Sequence, residues 1–312
     1  MHFLQQQNGN LLHRLAWRYQ LMNDYFFTGA CTALVTPFLN GAVNYPLLEQ
    51  LLKRQLDAGI RAIVLSGTTG ESPTLSDTEK LNLFRRAKAY VGSDAKIIGG
   101  TGSNSTEHAV ALSRAAQEAG VDGLLVVSPY YNKATPEGLL AHYGAISTAV
   151  HIPVILYNVP SRTGLDMPVS VYQQLSSLPN IAGVKEASAD ITKITRIRSS
   201  CPASFAVWSG NDDQIVPVMA LGGAGVISVL SNVLPGLTQD LCSAALAGDF
   251  DTAADLQVRL RPLIEALFSE VNPIPVKAAM KLVGFDCGPC RLPLTAAGEK
   301  TIEKLKKALS TL

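Results

Sequence analysis

Ala62-Ile63-Val64-Leu65-Ser66 and Gly123-Leu124-Leu125-Val126-Val127-Ser128 are each apolar at successive positions until a polar residue closes the run. A strand with one wet face alternates apolar and polar side chains. A strand covered on both faces does not, so these two runs predict strands of a parallel sheet with helices on its faces. The same signature recurs on either side, at 31–36, 96–100, 153–157, 181–185, 205–209 and 225–230, which brings the runs to eight. Between them lie amphipathic stretches that read as helices, at 45–58, 78–90, 106–119, 137–150 and 190–199. Ser76 and Ser105 are expected N-caps, and Glu79 stands at the capping-box position after Ser76.

Eight alternating units predict a closed (β/α)₈ TIM barrel of the α/β class. The competing open doubly wound sheet announces itself by a G-x-G-x-x-G turn after an early strand. Gly99-Gly100-Thr101-Gly102 lacks that spacing, and no Walker A motif is present. Beyond the eighth unit, 251–268, 275–283 and 296–309 are helical in character. The expected organisation is an N-terminal extension (1–26), a catalytic barrel (27–247) and a small C-terminal helical domain (248–312). The extension is basic over 11–18 and carries no acid before Asp24. It lacks the uninterrupted apolar core of a secretory signal. It fits a transit peptide, but an upstream start or an expression remnant is favoured, because Met22 can begin a complete protein.

Charged residues make up 16% of the chain and apolar ones 47%, which is the balance of a globular protein and not of a disordered one. A net charge of +1 supplies no field for nucleic acid or anionic lipid. No run of about 18 apolar residues reads as a membrane span. The five cysteines are odd in number and irregularly spaced, so reduced thiols and a cytoplasmic location are expected. Cys287 and Cys290 form a C-x-x-C pair, but no second pair or H-x-x-x-H completes a zinc site. An ordinary loop is the expectation there.

Active sites of this fold lie at the C-terminal ends of the strands. The residues to inspect are Thr36, 67–71, 128–131, Tyr157-Asn158, Lys185-Glu186 and 211–213. Lys185 ends the run Ile181-Ala182-Gly183-Val184. Withdrawal from water disfavours an ammonium, and a neutral amine forms Schiff bases with carbonyls. A structural lysine paired with Glu186 is the alternative. Tyr157 ends the preceding run, where a phenol can relay protons or merely pack. Thr68 and Thr69 sit between glycines, in a turn whose N–H groups and hydroxyls suit a small carboxylate or form a plain tight turn. Arg162 offers a fork for a second carboxylate. The five histidines form no metal-ligand spacing, so no cofactor or metal is expected.

Five blocks stand in one order: Gly67-Thr68-Thr69-Gly70-Glu71-Ser72, Ser128-Pro129-Tyr130-Tyr131-Asn132, Tyr157-Asn158-Val159-Pro160-Ser161-Arg162-Thr163-Gly164, Gly183-Val184-Lys185-Glu186-Ala187 and Gly225-Val226-Ile227-Ser228-Val229. In these the chain resembles the dihydrodipicolinate synthase and N-acetylneuraminate lyase superfamily, over about residue 27 to the C-terminus. The resemblance implies that Lys185 forms an imine with pyruvate. It implies that Tyr157 shuttles protons in a relay with Thr69 and Tyr131, the last reaching into a neighbouring subunit of a homotetramer (a dimer of dimers). Thr68 and Thr69 would hold pyruvate's carboxylate, with the Ile227 backbone nearby, and Arg162 would anchor the second substrate. Sialic acid lyases and keto-deoxy sugar acid aldolases generally lack that arginine. Arg162 therefore favours condensation with aspartate 4-semialdehyde to 4-hydroxy-tetrahydrodipicolinate, in lysine and diaminopimelate biosynthesis. A non-catalytic relative that binds an oxo acid is the reading of another class, and intact Lys185, Tyr157 and Thr69 argue against it. Lysine-inhibited members carry a histidine and a glutamate where Lys80 and His108 stand here, so weak or absent lysine feedback is expected.

Overall fold

The computed structural model describes residues 25–312. The basic 11–18 stretch and Met22 therefore lie outside the described residues. Eight strands close into an all-parallel barrel: β1 (Gly29–Ala33), β2 (Ala62–Leu65), β3 (Lys96–Gly100), β4 (Gly123–Val127), β5 (Val154–Asn158), β6 (Ile181–Glu186), β7 (Ala206–Ser209) and β8 (Gly225–Ser228). Each strand bonds to its neighbour in sequence, and β8 returns to β1 from Gly29↔Gly225 to Thr32↔Ser228.

The continuous apolar runs follow from burial on two faces. Val64, Ile98, Leu125, Ile155 and Trp208 fill the barrel interior. Their sequence neighbours Ile63, Ile97, Leu124, Val154 and Val207 face the helices. Phe27, just before β1, stacks on Trp208 at 4.6 Å between ring centroids. The Trp208 indole N–H also donates to the Phe27 carbonyl at 3.2 Å.

The helices are α1 (Tyr45–Asp57), α2 (Asp77–Val91), α3 (Thr106–Glu118), α4 (Pro136–Ala149), α5 (Pro160–Thr163), α6 (Val169–Leu175), α7 (Ile191–Ser200), α8 (Ile215–Ala220), α9 (Pro235–Ala247), α10 (Phe250–Leu267), α11 (Ile274–Leu282) and α12 (Glu299–Leu309). Ser76 caps α2 in a full capping box with Glu79, and Ser105 caps α3. Leu260, Leu263, Val276, Met280 and Leu305 from α10 to α12 join the same hydrophobic cluster as the barrel's outer face.

The first strand differs from its expected span of 31–36 and runs from Gly29 to Ala33. Asn232 replaces the ladder there: its Oδ1 accepts from the Val35 amide at 3.0 Å and its Nδ2 donates to the Ala33 carbonyl at 2.8 Å. A short antiparallel ribbon, Phe38–Leu39 with Ala42–Val43, follows and was not expected.

Candidate active site

A cavity of about 1070 Å³ opens over the strand ends on the side where the loops following the strands gather. Thr68, Tyr130, Tyr131, Tyr157 and Arg162 line it, and farther out so do Ser76, Asp77, Lys80, Ser103 and His108. Lys185, Thr69 and Ile227 are not among its lining residues; they are 6%, 2% and 0% exposed.

Lys185 and Tyr157 are register partners on β6 and β5, and so are Glu186 and Asn158. Successive side chains on a strand point to opposite faces. The lysine and tyrosine thus share one face, and the Lys185 Nζ lies 4.4 Å from the centroid of the Tyr157 ring. The alternative pairing of Lys185 with Glu186 does not form. Glu186 turns the other way, where its Oε1 accepts from Asn158 Nδ2 and from the Ser188 amide, both at 2.8 Å. Its Oε2 accepts from the Tyr172 hydroxyl at 2.9 Å.

Two buried acidic groups feel the lysine's charge. Burial pushes the Cys31 thiol far up, against the pull of Lys185. Burial also pushes the Asp212 carboxyl up, opposed by Ser228, the Leu230 and Val229 amides and Lys185. Asp212 Oδ2 accepts from both of those amides at 2.9 Å and so shapes the turn that follows β8 and Ile227.

The turn after β2 is tightly built. The Glu71 amide donates to the Thr68 carbonyl at 3.1 Å, and the Thr36 hydroxyl donates to the Gly70 carbonyl at 2.7 Å. A Cβ at Gly70 would meet the Ser66 nitrogen at 3.0 Å and the Leu34 carbonyl oxygen at 3.2 Å, so a side chain there would crowd the backbone. Thr69 Oγ1 accepts from Asn272 Nδ2 at 3.0 Å, while the Asn272 carbonyl accepts from Arg162 Nη2 at 3.2 Å. Asn272 therefore joins two expected site residues. Sequence reasoning missed it, since it lies 203 positions from Thr69 and only its place before a proline marks it.

Tyr131 is 86% exposed, with φ at +74°. Beyond it, the Asp77 carboxylate sits between His108 Nε2 at 2.7 Å and Lys80 Nζ at 3.3 Å. Burial acts against that carboxylate, but the hydrogen bonds and charges of His108 and Lys80 hold it below its ordinary range. Burial pushes Cys287 up to about 12 and Cys290 up to about 11, the latter helped by Glu71. Neither thiol is activated, as a redox pair would need. Among the described residues, no group of three or more His, Cys, Asp or Glu is arranged to hold a metal ion, and no helix is long and apolar enough to cross a membrane.

A closed barrel whose cavity over the C-terminal strand ends carries polar side chains is the arrangement of a (β/α)₈-barrel enzyme. A profile of the Dihydrodipicolinate synthetase family matches residues 26–312, and the chain belongs to that family. It is 47% identical over 285 residues to a 4-hydroxy-tetrahydrodipicolinate synthase of Thermoanaerobacter sp. (strain X514), covering 91% of this chain and 96% of the relative. It is 50% identical over 284 residues to one of Caldicellulosiruptor saccharolyticus, with the same coverage. The crystal structure of dihydrodipicolinate synthase from Thermotoga maritima superposes with a TM-score of 0.90 at 43% identity, over 92% of this chain and 98% of that one.

Proposed function

We propose that the chain condenses pyruvate with aspartate 4-semialdehyde to 4-hydroxy-tetrahydrodipicolinate, in lysine and diaminopimelate biosynthesis, through a Schiff base on Lys185. The observation that carries this reading is the pairing of Lys185 and Tyr157 on one face, with the amine 4.4 Å from the ring, in a member of this family. The Lys185 amine attacks the C2 carbonyl of pyruvate, Tyr157 gives up its proton and water leaves, so that a protonated imine stands beside the Tyr157 phenolate. That imine draws electrons from the methyl group, whose proton passes to Tyr157, and an enamine forms. The enamine carbon attacks the aldehyde of the second substrate, whose oxygen takes up a proton through the relay. The substrate's own amine then displaces Lys185 by transimination, which closes the ring and frees the lysine.

Thr68 and Thr69 take pyruvate's carboxylate in the turn after β2, with the Ile227 backbone beside them. Asn272 occupies a lone pair of the Thr69 hydroxyl, so that hydroxyl's own proton is available to Tyr157 or the substrate. Arg162 anchors the carboxylate of the semialdehyde. Tyr131, exposed and in a left-handed backbone conformation, completes the relay in the site of a neighbouring copy within a dimer of dimers. Five free cysteines suit a reducing cytoplasm.

Turnover of purified protein with pyruvate and aspartate 4-semialdehyde, coupled to the next reductase, tests the proposal against N-acetylmannosamine and simple aldehydes. Selective use of the semialdehyde supports it. Activity with a sugar aldehyde alone moves the chain to a sibling lyase.

A further inference from the structure

Lys185 meets Tyr157 only because the β5–β6 pairing is irregular. Val154 pairs with Ile181, but Ile155 pairs with Gly183, so Ala182 is an extra residue on β6. Bulges of this kind re-aim side chains beside active sites. A slip of one residue would turn Lys185 to the outer face. Gly183 holds φ at +150°, and a Cβ on it would meet the Ala206 carbonyl oxygen at 2.1 Å, so glycine alone fits the bulge.

Side chains hold the other end of the bulged stretch. Asn158 and Glu186 are the register partners next to Tyr157 and Lys185, and they face the opposite way. The Asn158 amide donates to Glu186 Oε1 at 2.8 Å, and its oxygen accepts from the Met167 amide at 3.0 Å. The Glu186 carboxylate also takes the Tyr172 hydroxyl and the Ser188 amide, with Lys193 Nζ 4.0 Å from its Oε2. Asn158 is 0% and Glu186 3% exposed. Burying a carboxylate is costly unless its oxygens are met by partners. Here both oxygens are met, directly behind the reacting pair, and such satisfied networks specify one geometry.

We propose that Glu186, acting through Asn158, is the positioning residue that locks the bulged register and holds the Lys185 amine at the Tyr157 ring. This rests on reading Lys185 as the imine-forming residue. Glu186 itself touches no substrate. The dipeptides Tyr157-Asn158 and Lys185-Glu186 act as one unit, with the first member of each for chemistry and the second for placement.

The test compares wild type, Asn158→Leu and Glu186→Gln. Adduct formation is timed with pyruvate and borohydride, per folded molecule, beside kcat, KM and Tm. Leucine removes the cross-strand bond, and glutamine keeps one acceptor but loses the charge facing Lys193. The expected result is a parallel loss in adduct rate and kcat on the order of 10²-fold for Asn158→Leu and about tenfold for Glu186→Gln. The KM for the semialdehyde should hold near wild type. If Asn158→Leu does not fold, Glu186→Gln carries the test. A lower Tm with an unchanged adduct rate per folded molecule means a merely structural role and overturns the proposal. A wild-type protein that gives no adduct sinks the Schiff-base reading and this inference with it. A wild-type adduct with unchanged variants sinks this inference alone.

Discussion

Replacing Lys277 by methionine should weaken both the fold and the proposed pyruvate site. Lys277, on α11, lies 2.5 Å from Glu71 Oε1, and the two side chains are 4% and 0% exposed. The contact is an ion pair without hydrogen-bond alignment, as Oε1 has no aligned donor. The other carboxylate oxygen accepts from the Arg291 amide at 2.8 Å. Taking away one partner of a buried pair leaves an uncompensated charge and costs about 3–5 kcal/mol. In a chain of this size that is a fall in Tm of about 5–8 °C. Glu71 directly follows Gly70 in the turn that carries Thr68 and Thr69, and it is itself held at φ +58°. Its release should therefore raise the KM for pyruvate several-fold. Thermal denaturation of Lys277→Met, Glu71→Gln and the double variant reads the effect. The double variant should lose less than Lys277→Met, because no buried charge is left unpaired. A Tm for Lys277→Met within about 2 °C of wild type would show that Lys277 does not compensate a buried charge on Glu71.

Arg162→Leu should raise the KM for the semialdehyde by about 10- to 100-fold, the worth of a charge-assisted hydrogen bond of about 1.5–3 kcal/mol, and leave the KM for pyruvate nearly unchanged; equal rises in both would remove Arg162 from the second-substrate site. Lysine should inhibit weakly or not at all, since Lys80 and His108 already share Asp77 and a second cationic amine would meet positive charge there. Initial rates against lysine concentration check this, and inhibition at low lysine that is lost on mutating Tyr130 or Asn104 would contradict it. Hydrogen bonds from Arg291 pull the Glu79 carboxyl down to about 2. A depressed carboxyl stabilises the fold above its unfolded value and loses that contribution as pH falls. The Tm gap between wild type and Glu79→Gln should be full near neutrality and shrink as pH drops from about 4.5 toward 2; a gap independent of pH would show that the Arg291 pairing does not stabilise the fold.

The barrel was legible because strands buried on two faces leave continuous apolar runs, as in Ala62-Ile63-Val64-Leu65, and because Ser76 and Ser105 mark helix starts by local hydrogen bonding. The rim was legible for the same reason, since polar residues at the ends of apolar strands stand out. What escaped depends on contacts far apart in sequence. Nothing local to Asn272 announces its bond to Thr69. The end of β1 at Ala33 is set by Asn232, from the other side of the barrel closure. The extra residue at Ala182 is likewise silent in sequence: the run 181–185 reads as a plain strand, and only its pairing with β5 shows why Lys185 faces Tyr157.

Mass spectrometry of peptides after borohydride treatment with pyruvate reads directly whether Lys185 carries the imine. One reduced pyruvate unit is expected on Lys185, absent without pyruvate and absent in Lys185→Arg. Full turnover with Lys185 unmodified, or an adduct on another lysine, would contradict it.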